Sequence, residues 1–276
     1  MIISVVSGKG GAGKTTIATS LAHILKADYY DLDVDAPNGE YFLQPQDWQS
    51  RQVSQHQPVI NQATCTACGL CTRECRFHAL YKILDKIYLT ETLCHSCNLC
   101  REVCPAGAIS YQQMPIGEVR TGFSRRSMAR AIIGDLAIGS TRGTALIQDI
   151  VRHMDASKRH VVIDGPPGNS CAAVAAIKPA ELIVLVVEPT PFGLHDMLQT
   201  MAIVESLQKP VIVIANKSQD DAPLQAVLDQ RGYDLAASIP LHGDYHRLLL
   251  GGEILSRASE HVHAQLVKAI AVKVML

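Results

Sequence analysis

The chain has 276 residues, of which 47% are hydrophobic, and a formal net charge of -1. That length suits one large α/β domain, or one such domain carrying a small module. The balanced charge implies neither a nucleic-acid nor an acidic membrane partner. No run of about 18 apolar residues marks a membrane span. The first residues lack the basic and long apolar segments of a signal peptide, so a cytoplasmic protein is expected.

In chain order, Ile2–Val6 predicts a short buried strand, and Ser7 to Thr16 a glycine-rich loop. A helix over Thr16–Leu25 and a second strand over Asp28–Asp33 follow. The loop contains G-x-x-x-x-G-K-[ST] from Gly8 to Thr15. Its residues Gly8, Lys9, Gly10, Gly11, Ala12, Gly13, Lys14, Thr15 and Thr16 form the candidate nucleotide cradle. Glycines let backbone N–H groups turn toward a phosphate chain, and the helix adds its positive end. Lys14 suits the β- and γ-phosphates, and the Thr15 hydroxyl suits Mg²⁺. The second strand runs into Asp31-Leu32-Asp33-Val34-Asp35, whose alternation predicts three aspartates on one face. Like charges so close together need a cation or a water network.

Residues 46–60 are rich in Gln and Ser and predict a polar linker. The stretch 61–114 holds eight of the nine cysteines. They form two runs, Cys65-x2-Cys68-x2-Cys71-x3-Cys75 and Cys94-x2-Cys97-x2-Cys100-x3-Cys104-Pro105. Each cysteine of the second run lies 29 residues after its counterpart, so the module is an internal duplication. This is the spacing of bacterial ferredoxins with two [4Fe–4S] clusters. Three thiolates spaced by two residues wrap one cluster, and the fourth ligates the other. The expected sets are Cys65, Cys68, Cys71 with Cys104, and Cys94, Cys97, Cys100 with Cys75. Two Cys₄ zinc sites are the competing reading. Arg76 stands where the motif usually has the proline seen at Pro105.

Beyond the module, α/β alternation returns. Thr144–Met154 predicts a helix, and Val161–Ile163 a strand ending in Asp164. Leu182–Val187 and Val211–Ala215 predict further strands, with an amphipathic stretch His195–Leu207 between them. Such alternation predicts a mostly parallel sheet flanked by helices. The ATPase domain is expected over 1–57 and 115–276, with the small α+β ferredoxin-like module inserted over 58–114. The end of the chain, Val267–Leu276, predicts a last helix packed on the core.

The loop K-G-G-x-G-K-T-[ST] resembles the deviant Walker A loop of the MinD/ParA/NifH ATPases. That resemblance implies ATP and Mg²⁺ as ligands, and an ATP-dependent homodimer in which Lys9 reaches the partner's nucleotide. It implies that Asp33, or failing that Asp35, orients or deprotonates the attacking water. It implies that Asp164 holds Mg²⁺ through water in a Walker B role, with Gly165-Pro166-Pro167-Gly168 as switch II. Asn216 and Pro240 resemble the family's adenine-binding segments. As a whole the chain is similar to MinD-superfamily ATPases carrying a ferredoxin domain. The expected function is ATP hydrolysis coupled to electron transfer through the two clusters to an unknown redox or metallocofactor protein; the alternatives are a helper in cluster or metal-cofactor assembly, and a positioning ATPase with structural clusters. ParA-type DNA binding has only Arg120, Arg125, Arg126 and Arg130 to suggest it. Because the insertion follows the aspartate segment, nucleotide state is expected to move the clusters.

Overall fold

A computed structural model describes residues 1–157 and 159–274. Two compact units emerge: Met1–Arg51, Val119–Asp135 and Thr144–Leu276 form the first, and Gln52–Glu118 with Leu136–Gly143 the second.

The chain begins β1 (Ile2–Val6), α1 (Lys14–Leu25), β2 (Asp28–Asp31), α2 (Gly39–Leu43) and β3 (Gln46–Ile60). The cysteine region contributes α3 (Leu70–Glu74), β4 (Leu80–Ile83), β5 (Lys86–Leu89) and α4 (Leu99–Glu102). Next come β6 (Ile109–Ser124), β7 (Ala129–Leu136), α5 (Gly143–Arg152), β8 (Val161–Asp164), α6 (Cys171–Ile177) and β9 (Leu182–Val187). The remainder is α7 (Pro191–Ser206), β10 (Val211–Ser218), α8 (Ala222–Asp229), β11 (Leu235–Pro240), α9 (Gly243–Leu250), α10 (Leu255–Ala258) and α11 (Glu260–Val274).

Among the described residues, nine strands form one sheet in the order β11-β10-β9-β1-β8-β2-β7-β6-β3. From β11 to β7 every pairing is parallel. The central strands are apolar because both faces are covered: all six residues of β9 are buried. One face packs Ile3, Val5, Ile17, Leu21 and Val184 with α1, α10 and α11. The other packs Val6, Ile183, Leu185, Met197 and Met201 under α6, α7 and α8. Val262, Leu266, Ala269 and Ile270 of α11 lie in the first of these layers, the last two within the expected helix 267–276; the side chains of 272–274, and residues 275 and 276, lie outside the described residues.

Two expectations are corrected. Residues 46–60 are not a linker but the 15-residue strand β3 at the end of the sheet order. Most of its side chains are exposed, so its polar composition reflects a solvated strand. Strand β2 ends at Asp31 rather than Asp33, and the chain turns at once through an Ala36 N–H to Asp33 carbonyl bond of 3.0 Å. The three aspartates therefore do not share a face: Asp31 is buried, Asp33 half-buried and Asp35 exposed.

In the second unit, β4 and β5 form an antiparallel hairpin with Leu80 opposite Leu89 and Ile83 opposite Lys86. Its small core joins Leu80, Ile87 and Ile109 to Cys71. The returning segment 136–143 is fixed there by an Ala137 N–H to Ile116 carbonyl bond of 3.0 Å and by Thr141 Oγ1 on the Thr92 carbonyl at 3.1 Å.

Candidate functional site

The loop after β1 meets the start of α1, where the C-terminal ends of β1, β8 and β2 converge. Gly13 caps α1 with φ +93°, and no side chain caps the helix, so its first N–H groups remain for a ligand. Gly13 has a second reason to be glycine: a Cβ there would sit 2.0 Å from Asn216 Nδ2. Gly11 also has φ +79°, and a Cβ at Gly10 or Gly11 would meet nothing. At Gly8 a Cβ would strike the Asp196 backbone at 2.3 Å, so α7 presses on the base of the loop.

The other end of the loop is gripped from β10. Asn216 Nδ2 donates to the Ala12 carbonyl at 2.8 Å, and Lys217 Nζ to the Gly11 carbonyl at 2.7 Å. Asn216 is buried and one of its amide hydrogens is committed to the loop. The position expected to read adenine braces the loop after β1. Pro240 lies exposed at the end of β11, paired with Ser218 of β10.

Beneath the loop is a buried acidic pair. Asp31 and Asp164 are register partners across β2 and β8. The Tyr29 hydroxyl donates to Asp164 Oδ2 at 2.9 Å and lies 3.4 Å from Asp31 Oδ2. Asp31 accepts the N–H of Asp33 at 3.2 Å and of Gly39 at 2.9 Å, which fixes both ends of the aspartate loop. Burial, with Asp164 beside it, holds the Asp31 carboxyl well above the ordinary range. Burial also raises Asp164, to about 6, against the opposing pull of Thr15 and Lys14. Asp164 Oδ1 is buried without a hydrogen-bond partner. A buried carboxylate oxygen left bare beside a threonine hydroxyl suits a divalent cation. Asp33 is raised by burial and held back by Lys14, whereas Asp35 stands in solvent.

Sequence reasoning missed Tyr29 and the partner of Lys9; it placed Asp31 in the aspartate cluster but missed its pairing with Asp164. In this chain Lys9 Nζ pairs with Glu188 Oε2 at 3.1 Å, both partly exposed. Three of the four arginines that suggested DNA binding are engaged within their unit. Arg120 meets Glu40 at 2.7 Å and Arg130 meets Asp28 at 2.5 Å, while Arg126 bonds the Gly252 carbonyl at 2.5 Å.

The profile of the family described as the CobQ/CobB/MinD/ParA nucleotide binding domain matches residues 3–253. The chain belongs to this family. Two uncharacterized proteins of Methanocaldococcus jannaschii are related in sequence: MJ0578, 29% identical over 79% of this chain and 78% of its own, and MJ0579, 26% identical over 79% and 80%. Among solved structures, the septum site-determining protein MinD of Pyrococcus horikoshii, complexed with Mg-ADP, superposes with a TM-score of 0.60 at 18% identity, covering 99% of this chain and 96% of its own. The Pyrococcus furiosus cell division ATPase MinD gives 0.58 at 17% identity, covering 100% and 99%. These likenesses establish a MinD-like fold. No helix among the described residues is long and apolar enough to cross a membrane.

In the second unit the eight cysteines of the two runs are divided between two hollows. One is lined by Cys65, Cys68, Cys71 and Cys104, with Ile60, Ile87 and Ile109 among its walls. The other is lined by Cys75, Cys94, Cys97 and Cys100, with Phe77, His95 and Tyr111. Among the described residues, no three Cys, His, Asp or Glu close tightly enough to clasp a single metal ion. Hydrogen bonds aimed at sulfur are already present: the N–H of Ala67 to Cys65 Sγ at 3.4 Å and of Ala108 to Cys104 Sγ at 3.3 Å. The ninth cysteine, Cys171, is exposed at the start of α6 and belongs to neither hollow.

Proposed function

We propose that this member of the family hydrolyses ATP with Mg²⁺ and holds two [4Fe–4S] clusters, coupling nucleotide-dependent dimer rearrangement to electron transfer. The observation that carries the cluster reading is the division of the cysteines. Each hollow collects three cysteines of one run and the fourth of the other, the crossed arrangement of the ferredoxin motif. Bound there, the clusters would supply one-electron chemistry, and the chain supplies thiolate ligands, N–H donors and apolar walls.

At the nucleotide site, Lys14 and the open N-terminus of α1 would receive the phosphates. Thr15 and Asp164 would share the cation, directly or through water. Asp31 holds the aspartate loop, and Asp33, whose proton affinity burial raises while Asp35 stands in solvent, is the candidate we favour to take a proton from water. Lys9 would leave Glu188 to reach a second protomer. A partly exposed ion pair is worth only ~0–1 kcal/mol, so the exchange costs little.

A second reading is favoured by the MinD-like fold over nearly the whole chain: a positioning ATPase in which the clusters only stabilise the module. Anaerobic reconstitution followed by iron and sulfide analysis tests what both readings share. About eight irons per chain are expected; stoichiometric zinc without sulfide would remove the cluster assignment. A cluster-assembly helper would instead pass its iron to an apo-protein on ATP addition.

A further inference from the structure

The two halves of the cysteine module repeat in backbone detail. Left-handed residues recur at the 29-residue interval: Ala67 with Ser96 (φ 51° and 53°), Gly69 with Asn98 (74° and 66°), and His78 with Gly107 (52° and 59°). Helices α3 and α4 begin at the matched positions Leu70 and Leu99. The turn bond from His78 N–H to the Cys75 carbonyl, 3.0 Å, recurs from Gly107 N–H to the Cys104 carbonyl at 3.2 Å. Chemical differences between the hollows therefore come from side chains at matched positions.

Those differences fall on one side. Phe77 lines the second hollow where Ala106 lines the first, and His95 where Thr66 does. The rings of Phe77 and His95 stack at 3.8 Å and 13°. The third matched pair is Lys82 and Tyr111. Lys82 turns its ammonium to the Ala67 carbonyl at 2.6 Å and does not line a hollow. Tyr111 lines the second hollow, with its hydroxyl 2.8 Å from the Asn98 carbonyl and 3.7 Å from Cys100 Sγ. Arg101 over its ring and His56 beside it fix the phenol in place.

We infer that Tyr111 is a positioning residue that tunes the second hollow, so that a cluster held by Cys75, Cys94, Cys97 and Cys100 is the easier of the two to reduce. The inference rests on the cluster reading above. A ligated cysteine is a thiolate and only accepts, so Tyr111 is then the donor. Its single proton is shared between the Asn98 carbonyl and Cys100 sulfur. Reduction adds negative charge to the sulfurs and draws the proton toward Cys100, which favours the reduced state. In the first hollow, the hydroxyl of Thr66 meets Cys68, which is exposed, so water competes for the same sulfur. The remaining walls there are aliphatic.

The test is a dithionite titration of the reconstituted full chain, followed by EPR. Cys75→Ser alters one signal and so assigns it to the second hollow. The wild type should show two half-reduction points, that of the second hollow the more positive. Tyr111→Phe should keep iron and sulfide content and move only that point, to more negative potential. The expected size is on the order of tenfold in the reduced-to-oxidised ratio, equivalent to about 59 mV for one electron. Coincident or reversed half-reduction points overturn the inference even if Tyr111→Phe fails to fold. So does a Tyr111→Phe shift that is absent or shared equally by both signals. In each of these outcomes the iron content still upholds the cluster reading, whereas a chain that takes up no iron and sulfide ends both.

Discussion

Replacing Asp164 by Asn should make the nucleotide-free protein more stable while removing its response to Mg²⁺. The carboxyl is buried against Asp31 with one oxygen unpartnered, and its pKa rises from the ordinary 3.8 to about 6. Because the folded value is raised, the stabilising contribution is fully present below pH 3.8 and is lost as pH rises through about 6. At pH 8 the charged carboxylate thus costs on the order of 3 kcal/mol, from ~1.4 kcal/mol per tenfold. Asparagine keeps an oxygen that can accept from Tyr29 and removes the charge. Denaturant unfolding at pH 8, without nucleotide, should show a gain of about 1–3 kcal/mol. The gain should shrink at pH 5, where the native carboxyl is already protonated. Adding Mg²⁺ to ATP-bound protein should stabilise the wild type and leave the variant near its ATP–EDTA value. A variant less stable than wild type at pH 8, or one that keeps the full Mg²⁺ response, would refute this reasoning.

Gly13→Ala should abolish ATP binding and destabilise the protein by ~1–3 kcal/mol, because a left-handed residue gains a Cβ that runs into Asn216; calorimetry and thermal unfolding measure both effects. Lys9→Ala should prevent the MgATP-dependent dimer in sedimentation, whereas Glu188→Gln should strengthen it a few-fold by releasing Lys9; a weakened dimer in Glu188→Gln would argue against the exchange. Cys104→Ser should disturb the cluster of Cys65, Cys68 and Cys71 rather than that of its own run, and iron analysis with EPR should find the other cluster intact. Loss confined to the cluster of Cys94, Cys97 and Cys100 would refute the crossed ligation.

The parts of the site legible in the sequence are those made by neighbours in the chain. The phosphate loop, the strand ending in Asp164 and the cysteine runs each carry their chemistry in a few consecutive residues. What stayed hidden is made by register and by contacts between distant segments. Tyr29, Asp31 and Asp164 meet because β2 and β8 pair in one register. Lys9 meets Glu188, and Asn216 meets Ala12, across long stretches of chain. The aspartate alternation misled because the strand stops at Asp31, after which a two-residue period has no meaning. Strand β3 was hidden by its own exposure, since a solvated strand has little apolar pattern to read. The return of 136–143 to the second unit rests on main-chain bonds and on the hydroxyl of Thr141, which leave no mark on composition.

Whether the nucleotide site and the cysteine hollows work together is decided by one experiment. The reconstituted, dithionite-reduced chain is titrated potentiometrically under EPR, with and without MgATP. Coupling predicts that MgATP shifts the half-reduction potential or the line shape of at least one cluster, and that Lys14→Ala abolishes the shift. Two well-formed clusters whose signals and potentials ignore MgATP would contradict ATP-gated electron transfer and leave the positioning reading in its place.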